Sequence, residues 1–310
     1  MRKLLLVFVA ITAMATAQDH RAKSIDIKIL STMLADDDGI GEWGFSALVV
    51  VDGHRILFDT GAREDTVQIN THDLKIDLTN VPDVILSHNH IDHTGGLMTL
   101  RRGVMAKNPD ALVHAHAGEG IFANRGSKRM ETVRHDYEAT GAKITIHDAP
   151  FELYPGVWLT GPVPRVYPER NYNTSATITN PDGSKREDNI PEDTSLVIDT
   201  DRGLVVVTGC GHAGVANILD YARKKVRNAP VHAVIGGLHL YQADDERLKW
   251  TSGKLREFGV QNILGAHCTG IEATYRLREL VGLSRQTAAV AAVGAEFKLG
   301  EPIHPGNISK

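Results

Sequence analysis

Short apolar blocks alternate with polar turns along the first half of the chain, which is the pattern that β-strands produce. Ala47–Val51 and Arg55–Phe58 are predicted strands joined by the turn Asp52-Gly53, a strong hairpin signal. Val84–Leu86 is predicted as a short buried strand, and Gly95–Lys107 as a helix. The other strands predicted in this half are Ala111–His116, Lys143–His147 and Val157–Thr160.

The same pattern returns in the second half, after a long polar segment. That segment, Arg165–Pro191, is rich in Asn, Pro, Thr and charged residues, and is predicted to be a surface excursion that could cover a site. The strands predicted beyond it are Thr194–Ile198, Leu204–Thr208, Val231–Ile235 and Asn262–Leu264. The helices predicted beyond it are Ala213–Lys225, Asp244–Phe258 and Gly270–Val281. Strands followed by helices, twice over, predict an α/β protein of two similar halves packed together.

The first 17 residues differ from the rest of the chain and have the three parts of a secretory signal. Arg2 and Lys3 precede an apolar run, and Ala15-Thr16-Ala17 is an A-x-A cleavage site. An N-terminal membrane anchor is the alternative, but the run is short for a spanning helix of about 20 residues. We expect residues 1–17 to be removed, which leaves residues 18–310 as a single secreted or periplasmic domain without a stable membrane anchor.

Composition narrows the class of protein. With 310 residues and 42% hydrophobic content, the chain can bury a large core, as one domain or as two tightly packed halves. Removal of Arg2 and Lys3 takes the formal net charge from −4 to −6, so the basic surface of a nucleic-acid binder is not expected. Two cysteines, Cys210 and Cys268, are too few for a disulfide framework in a chain of this size. Nucleic acid is therefore not an expected partner.

The segment SHNHIDHTGG at 87–96 concentrates metal-binding residue types directly after a predicted strand. In an extended chain, His88 and His90 lie on the same side and are spaced to hold one ion. Asp92 and His93 follow where the chain turns toward a helix, and they can reach a second ion. The alternative is a polar loop whose histidines only cap that helix. Four such residues in the order H-x-H-x-D-H favour a nitrogen and oxygen site for first-row divalent ions.

This segment resembles the signature of the metallo-β-lactamase superfamily, and ILFDTG at 56–61 resembles the aspartate motif that precedes it. The likeness covers nearly the whole chain beyond the signal, in the motifs EWGFSALVV, TGPVPR, EDTSLVI, TGCGHAG, GGLHL and GAHCTG. Together these motifs resemble the branch of dihydropterin/aminobenzene-ribofuranosyl-phosphate synthase-like proteins. The resemblance implies an αββα sandwich of two mixed β-sheets with outer helices, and a dinuclear metal site at one edge.

The resemblance also implies roles for individual residues. His88 and His90 would hold the first metal, and Asp92 and His93 the second. Asp59 aligns with the preceding motif, where a carboxylate lies beside the metal loop and orients it. The alternative for Asp59 is a turn that caps the end of the strand.

The later motifs depart from the superfamily pattern. Many members have a third histidine for the first metal where this chain has Pro191–Thr194, and a bridging aspartate where it has Cys210. His212 can replace one missing ligand, with a buried structural histidine as the alternative. His267 stands where the superfamily places its last metal-binding histidine, and it is assigned to the second metal. Cys210 stays a candidate bridging or supporting group, and Cys268 is expected to pack beside His267.

His239, in the motif GGLHL, resembles an auxiliary histidine that phosphodiesterase members carry. Two ions already have six candidate ligands, and a seventh would occupy the open position that a catalytic site needs. Those six are His88, His90, Asp92, His93, His212 and His267. His239 is therefore expected to donate a proton, and Asp92 and His239 are the candidate catalytic residues. His114 and His116 alternate on a predicted strand and are expected to serve packing or the surface.

These residues predict an exported dinuclear metal-dependent hydrolase that acts on a phosphodiester, a cyclic ester or a related small molecule. Two divalent cations, zinc first and manganese or iron as alternatives, would lower the pKa of a shared water and give a hydroxide nucleophile. Two other classes stay open: pterin-related group transfer, as the name of the branch suggests, and a non-catalytic metal-binding member. β-Lactamase activity itself is not expected, because a fold does not fix a function.

Overall fold

The computed structural model describes residues 20–310, so the segment that predicts export lies outside the described residues. Residues 20–310 form sixteen strands and seven α-helices. The strands are β1 (Ile25–Ser31), β2 (Ser46–Val51), β3 (His54–Phe58), β4 (Asp83–Leu86), β5 (His114–Gly118), β6 (Lys143–His147), β7 (Phe151–Tyr154), β8 (Val157–Leu159), β9 (Thr177–Thr179), β10 (Lys185–Glu187), β11 (Leu196–Thr200), β12 (Gly203–Thr208), β13 (Val231–Gly236), β14 (Asn262–Gly265), β15 (Ala288–Val290) and β16 (Glu296–Lys298). The helices are α1 (Thr66–Asp73), α2 (Ile91–Thr94), α3 (Leu97–Met105), α4 (Arg129–Glu138), α5 (Val215–Lys225), α6 (Asp245–Glu257) and α7 (Ile271–Val281). Within this part of the chain, every helix is too short or too polar to cross a membrane.

Two seven-stranded sheets contain all but two of these strands. The strand order is β16-β1-β2-β3-β4-β5-β6 in the first sheet and β15-β14-β13-β12-β11-β8-β7 in the second. Strands β3 to β6 run parallel in the first sheet, as β12 to β15 do in the second, and the other pairings are antiparallel. Each sheet is mixed and has a parallel block of four strands. The sheets follow the two predicted halves except that β7 and β8 of the first half belong to the second sheet, and β16 of the second half belongs to the first.

Side chains alternate between two apolar layers along the strands. In β12, Val205 and Val207 face the core between the sheets, where Phe58 of the first sheet lies, whereas Leu204 and Val206 face outward. The outward layer of the second sheet packs under α5, α6 and α7, and that of the first sheet under α1, α3 and α4. The predicted fold class, an αββα sandwich with outer helices, is confirmed.

Four predicted elements begin two or three residues too early. The helix predicted at Gly95–Lys107 begins at Leu97, the strand predicted from Thr194 at Leu196, and the helix predicted from Ala213 at Val215. A Cβ on Gly96 would lie 2.4 Å from the Thr60 carbonyl, so the backbone packs too closely there for another residue type. The strand predicted from Ala111 begins only at His114, because the chain still turns at Leu112, where φ is +51°.

A polar cluster lies at the edge between the sheets, away from the strand ends described below. His116 is buried, with Nδ1 3.0 Å from His147 Nε2 and Nε2 3.0 Å from Asp83 Oδ1. Tyr154 of the second sheet donates to Asp83 of the first. His116 is therefore part of a hydrogen-bonded link between the sheets rather than an ordinary packing residue, while His114 is exposed, as expected.

Candidate metal centre

The candidate metal-binding residues lie where parallel strands end. β4 leads into 87–93, β12 into 209–212, and β14 into His267, while Asp59 follows β3 and His239 follows β13. The carboxyl ends of parallel strands face the same edge of a sheet, which is where ligands bind in open α/β sheets. Because each sheet has such a block, the two sets of loops meet at one edge of the sandwich.

Three histidines form the first donor group. His88 Nε2 lies 3.0 Å from His90 Nδ1 and 3.2 Å from His212 Nε2. One nitrogen from each ring lies within 4.8 Å of the others, close enough for all three to share one ion. Burial lowers the pKa of His88 and His212 well below the usual histidine value, and lowers that of His90 to about 4. All three imidazoles are therefore neutral at neutral pH, which is the form that binds metals.

Asp92, His93, Cys210 and His267 form the second donor group, with one donor atom from each inside the same 4.8 Å limit. Asp92 Oδ2 lies 3.3 Å from His267 Nε2 and 3.7 Å from His93 Nε2, and Cys210 Sγ lies 3.2 Å from His93 Nε2. His267 is fully buried, yet neither ring nitrogen makes a hydrogen bond within the described part of the chain. Burying an unpaired imidazole costs free energy, and a divalent ion bound to His267 would reduce that cost. The residues therefore fit the metal that the sequence predicts.

The two groups are neighbours. The ring centroids of His88, in the first group, and His93, in the second, are 4.2 Å apart. Two ions held by these groups would therefore share an environment, as a dinuclear site requires. The structure thus brings together all six residues that the sequence proposed as ligands, and it adds Cys210 to the second group.

Asp59 fixes the orientation of two of these imidazoles. Its carboxylate accepts hydrogen bonds from Ser87 N at 2.7 Å, Ser87 Oγ at 2.7 Å and His93 Nδ1 at 2.7 Å. Because the Ser87 hydroxyl donates to Asp59, its oxygen accepts from His88 Nδ1 at 2.9 Å. Both rings are therefore held with Nε2 free for an ion. Metal-binding histidines in proteins are commonly oriented in this way, by a hydrogen bond from the ring nitrogen that does not bind the metal.

The third imidazole, His212, is oriented by the segment predicted to be a surface excursion. His212 Nδ1 donates to the backbone carbonyl of Asn171, which leaves Nε2 for the ion. Asn171 is buried and donates to the Gly211 carbonyl at 3.2 Å, and buried Glu169 accepts from Asn217 N at 3.1 Å. Glu169 and Asn171 are therefore buried against the centre, while the residues around them and most of the hairpin of β9 and β10 farther along lie at the surface, as predicted.

Pro191–Thr194, which replaces the usual third histidine, lies behind the metal loop. Thr194 N donates to the Ser87 carbonyl at 3.0 Å, and Glu192 accepts from Asn89 N at 3.2 Å. Burial raises the pKa of Glu192 to about 7, although the Arg125 guanidinium, 2.8 Å away, opposes this rise. This segment therefore supports the metal loop, and the third imidazole near His88 and His90 comes from His212 instead.

Gly209 of the second half packs directly against the first half. A Cβ at this position would lie 2.1 Å from Ser87 Oγ and 2.6 Å from Asp59 Oδ2. Those two atoms accept hydrogen bonds from the imidazoles of His88 and His93 in the first half. Gly209 immediately precedes Cys210 in the second half. Only glycine lets the second half approach the Asp59–Ser87 pair this closely.

Three non-glycine residues of the centre have left-handed backbones: Asp59 at φ +56°, His239 at +52° and His267 at +46°. Such conformations cost on the order of 1–3 kcal/mol each and persist where the surrounding structure over-determines them. Each residue lies just beyond a strand of a parallel block. The backbone therefore turns sharply there to direct these side chains into the space between the loops.

His239 lies beside the first group without belonging to either group. Its ring centroid is 4.8 Å from that of His212 and 5.5 Å from that of Tyr241. Burial lowers the pKa of His239. His90, Asp92 and His239 are only partly buried, so the centre opens on their side.

Two large aromatic side chains flank this open side. Trp43 is 48% exposed and Tyr241 is 44% exposed, and their rings meet edge to face with centroids 5.2 Å apart. The Trp43 ring also contacts the His267 ring, and their centroids are 4.9 Å apart. Sequence patterns did not indicate this pair as functional, because Trp43 and Tyr241 are 198 positions apart and each looks like an ordinary loop aromatic.

Replacement of Asp59 by asparagine is expected to weaken metal binding at the second group by roughly 10–100-fold, the usual effect of losing an outer partner of a metal-bound histidine. The amide lacks the charge that holds the Nδ1 proton of His93 in place. Metal titration of the two proteins measures the change. Asp52→Asn is the matched control, since Asp52 also has positive φ and accepts backbone N–H bonds, but at the exposed β2–β3 turn. Equal metal affinity in wild type and Asp59→Asn would show that Asp59 only caps its strand.

Comparison with known proteins agrees with this geometry. Residues 54–219, more than half of the chain, match the family model of the β-lactamase superfamily domain. The chain is 32% identical over 242 residues to the 7,8-dihydropterin-6-methyl-4-(β-D-ribofuranosyl)-aminobenzene-5′-phosphate synthase of Methanocaldococcus jannaschii, covering 74% of this chain and 82% of the synthase.

Solved structures show the same fold. Tm1679, described as a metal-dependent hydrolase of the β-lactamase superfamily, superposes with a TM-score of 0.68 at 25% identity, over 88% of this chain and 98% of Tm1679. A diphosphatase of the PhnP family superposes with a TM-score of 0.52 at 14% identity, over 89% of this chain and 97% of its own. The chain belongs to the metallo-β-lactamase superfamily.

Proposed function

We propose that this protein is an exported metal-dependent hydrolase that acts on a phosphodiester, a cyclic ester or a related small molecule. The observation that carries the proposal is the pair of adjacent donor groups, in which His88, His93 and His212 each have Nδ1 held by a hydrogen bond and Nε2 directed at the other donors. The similarity to Tm1679 supports the same class of reaction. The export predicted from residues 1–17 is part of the proposal.

Two divalent ions bound at these groups would supply an activated water and a Lewis acid for the oxygen of the substrate. The protein's own residues would do the rest. Asp59 and Ser87 keep His88 and His93 in place, and His239 on the open side would give a proton to the leaving group. Trp43 and Tyr241 would bind an apolar or ring-shaped part of the substrate beside it.

Metal removal and reconstitution test this proposal. Purified protein is stripped with a chelator, reloaded with zinc or manganese, and screened on bis-p-nitrophenyl phosphate, a lactone and a cephalosporin. We expect turnover of an ester substrate that disappears on stripping and returns on reloading. Unchanged turnover after stripping would contradict the proposal. Full metal loading without turnover of any ester would instead indicate a non-catalytic metal-binding member.

A second candidate function is group transfer onto or from a pterin-like molecule. The 32% identity with the synthase of M. jannaschii favours it, and so does the exposed aromatic pair, which offers a flat surface to a fused ring. Here an acceptor other than water would attack the substrate. Turnover in ¹⁸O-labelled water, with and without an aromatic amine acceptor, separates the two functions: hydrolysis puts the label into the product, and transfer to the amine does not.

Replacement of Trp43 by alanine is expected to raise KM for ring-containing substrates by about 2- to 13-fold, which corresponds to the 0.5–1.5 kcal/mol of an aromatic contact. The kcat value should change little, because the ring lies beside the donor groups and not among them. Kinetics on matched esters with and without a ring give the comparison, and Trp43→Phe serves as the control that keeps a ring. An equal change on both esters would mean that Trp43 only supports His267.

A further inference from the structure

We propose that Arg247 is a positioning residue of the metal centre, which orients His212 through Asn171 and so tightens the binding of the first ion. The inference rests on the proposed function above only in that an ion is bound at the first donor group. Arg247 belongs to neither donor group. It lies on α6, which packs on the outer layer of the second sheet, and it contacts the segment 166–171 from there.

The Asn171 carbonyl that orients His212 lies in a stretch without regular structure. Residues 166–171 contain no strand or helix, and Asn171 makes no backbone–backbone hydrogen bond to any residue in the described range 20–310. A carbonyl in a strand would be held by the hydrogen bonds of the sheet, whereas the position of this carbonyl depends on side-chain bonds. The residues that fix the Asn171 side chain therefore also fix the direction of the His212 ring.

The Asn171 side chain is held at both ends of its amide. Nδ2 donates to the Gly211 carbonyl at 3.2 Å, and Oδ1 accepts from Arg247 Nη2 at 3.0 Å. The bond to Gly211 goes to the loop that carries His212, so it cannot anchor that loop to anything else. The bond from Arg247 comes from a helix. Without Arg247, the side chain of Asn171 would be tied only to the loop that it positions.

The first turn of α6 directs Arg247 toward the segment 166–171. Asp244 caps the helix, and its side chain accepts from Arg247 N at 2.8 Å. Arg247 and Trp250 are three positions apart, so they lie on the same face of the helix. The guanidinium carbon is 5.7 Å from the centroid of the Trp250 ring, and that ring meets Tyr167 of the segment edge to face, with centroids 6.1 Å apart. This face of α6 is therefore packed against the segment.

Arg247 contacts the segment at a second point, two residues earlier. Its Nη2 lies 3.4 Å from Glu169 Oε1. Glu169 is buried and also accepts from Asn217 N at 3.1 Å, in the first turn of α5. One guanidinium nitrogen, with two N–H bonds, therefore serves both Glu169 and Asn171. A lysine ammonium has no such fixed geometry, so Arg247→Lys is expected to replace Arg247 only in part.

Arg247→Met tests the proposal, because methionine keeps an apolar side chain against Trp250 and removes the guanidinium. Zinc-loaded full-length protein is labelled with ¹⁵N-histidine, and exchange of the His212 Nδ1 proton with solvent is measured by NMR. We expect faster exchange in the variant than in wild type. Chelator competition should show one zinc ion bound roughly tenfold more weakly, at the lower end of the usual effect for outer partners of metal-bound histidines, and the other unchanged. Arg247→Lys should recover part of both losses.

Two further variants show whether the effect passes through Asn171. Asn171→Ala keeps the main-chain carbonyl and removes the amide that Arg247 holds, so it should match Arg247→Met. The double variant should be no worse than either single one, because residues that act through one link are not additive. Arg256→Met is the matched control. Arg256 is an exposed arginine near the other end of α6 that donates to the Leu280 carbonyl, and its replacement should change neither measurement.

The outcomes separate this inference from the proposed function. Unchanged proton exchange and zinc affinity in Arg247→Met would overturn the role of Arg247 and leave the metal-dependent hydrolase standing. Equal weakening of both zinc ions with a lower Tm would mean that Arg247 only stabilises the fold. Additive losses in the double variant would overturn the path through Asn171. Two zinc ions bound without turnover of any ester would contradict the proposed function and leave this inference intact.

Discussion

Replacement of His239 by alanine is expected to leave both metals bound and to lower turnover by roughly 10²–10⁴, the usual effect of losing a general acid. His239 lies against His212 on the open side of the centre, outside both donor groups. The loss should be smaller for substrates that release p-nitrophenolate, since that group leaves without a proton. Elemental analysis and kinetics on esters with good and poor leaving groups measure both effects.

The backbone of His239 calls for a second variant. Because φ is +52°, His239→Ala could change activity through strain at the turn. Asparagine tolerates this conformation better than most residues, so His239→Asn removes the imidazole and keeps the turn. Both variants should lose the same activity. If His239→Ala instead loses one metal equivalent and slows all substrates alike, His239 is a ligand, and the proton donor must be sought elsewhere.

The pH dependence of this effect has a definite sign. Burial lowers the pKa of His239, so its protonated form is present at low pH and disappears at a lower pH than for an ordinary histidine. A group that donates a proton is effective only while protonated. The advantage of wild type over His239→Asn should therefore shrink as pH increases.

Replacement of His88 and His90 together by alanine is expected to remove at least one metal equivalent and to reduce turnover to background. The first donor group would then consist of His212 alone, and one imidazole does not hold a divalent ion against buffer. Elemental analysis of the purified variant gives the result. Asp92→Asn should have a narrower effect, weakening mainly the second ion, because it removes a charge and keeps one oxygen donor.

A matched control for the double variant comes from the surface. His72 on α1 and His135 on α4 have side chains 89% and 82% exposed. Their joint replacement by alanine also removes two histidines but should change neither metal content nor turnover. A double variant at His88 and His90 that remains fully loaded would show the ligand assignment to be wrong.

Much of this fold could be predicted because its strands carry local signals. The hairpin of β2 and β3, the buried β4 and the strong parallel strand β12 all follow from apolar runs bounded by glycine or aspartate. Strand β1 carries a signal of the same kind, because IDIKI alternates strictly between apolar and charged residues. Helix α4 gave little signal of its own, because only Met130 and Tyr137 of its ten residues are buried.

The residues of the centre could be predicted where the chemistry lies in one short segment, as it does from His88 to His93. The place of Cys210 stayed open between a bridging and a supporting group, since it depends on a distance to His93 across 117 positions of the chain. For the same reason, the sequence left His212 open between a replacement for the missing third histidine and a buried structural residue. The packing of one sheet on the other determines which loop end faces which ion, and no local sequence pattern predicts that packing.

The hydrogen bond from His212 to the Asn171 carbonyl has a consequence for how this centre can evolve. The acceptor is main-chain, so this bond does not itself depend on the side chain at 171, which makes a separate hydrogen bond to the Gly211 carbonyl. What the bond does constrain is the number of residues between β8 and Asn171, which sets where that carbonyl falls. Substitutions along this stretch can therefore leave the hydrogen bond to His212 intact. A single insertion or deletion would instead move the Asn171 carbonyl and break that bond.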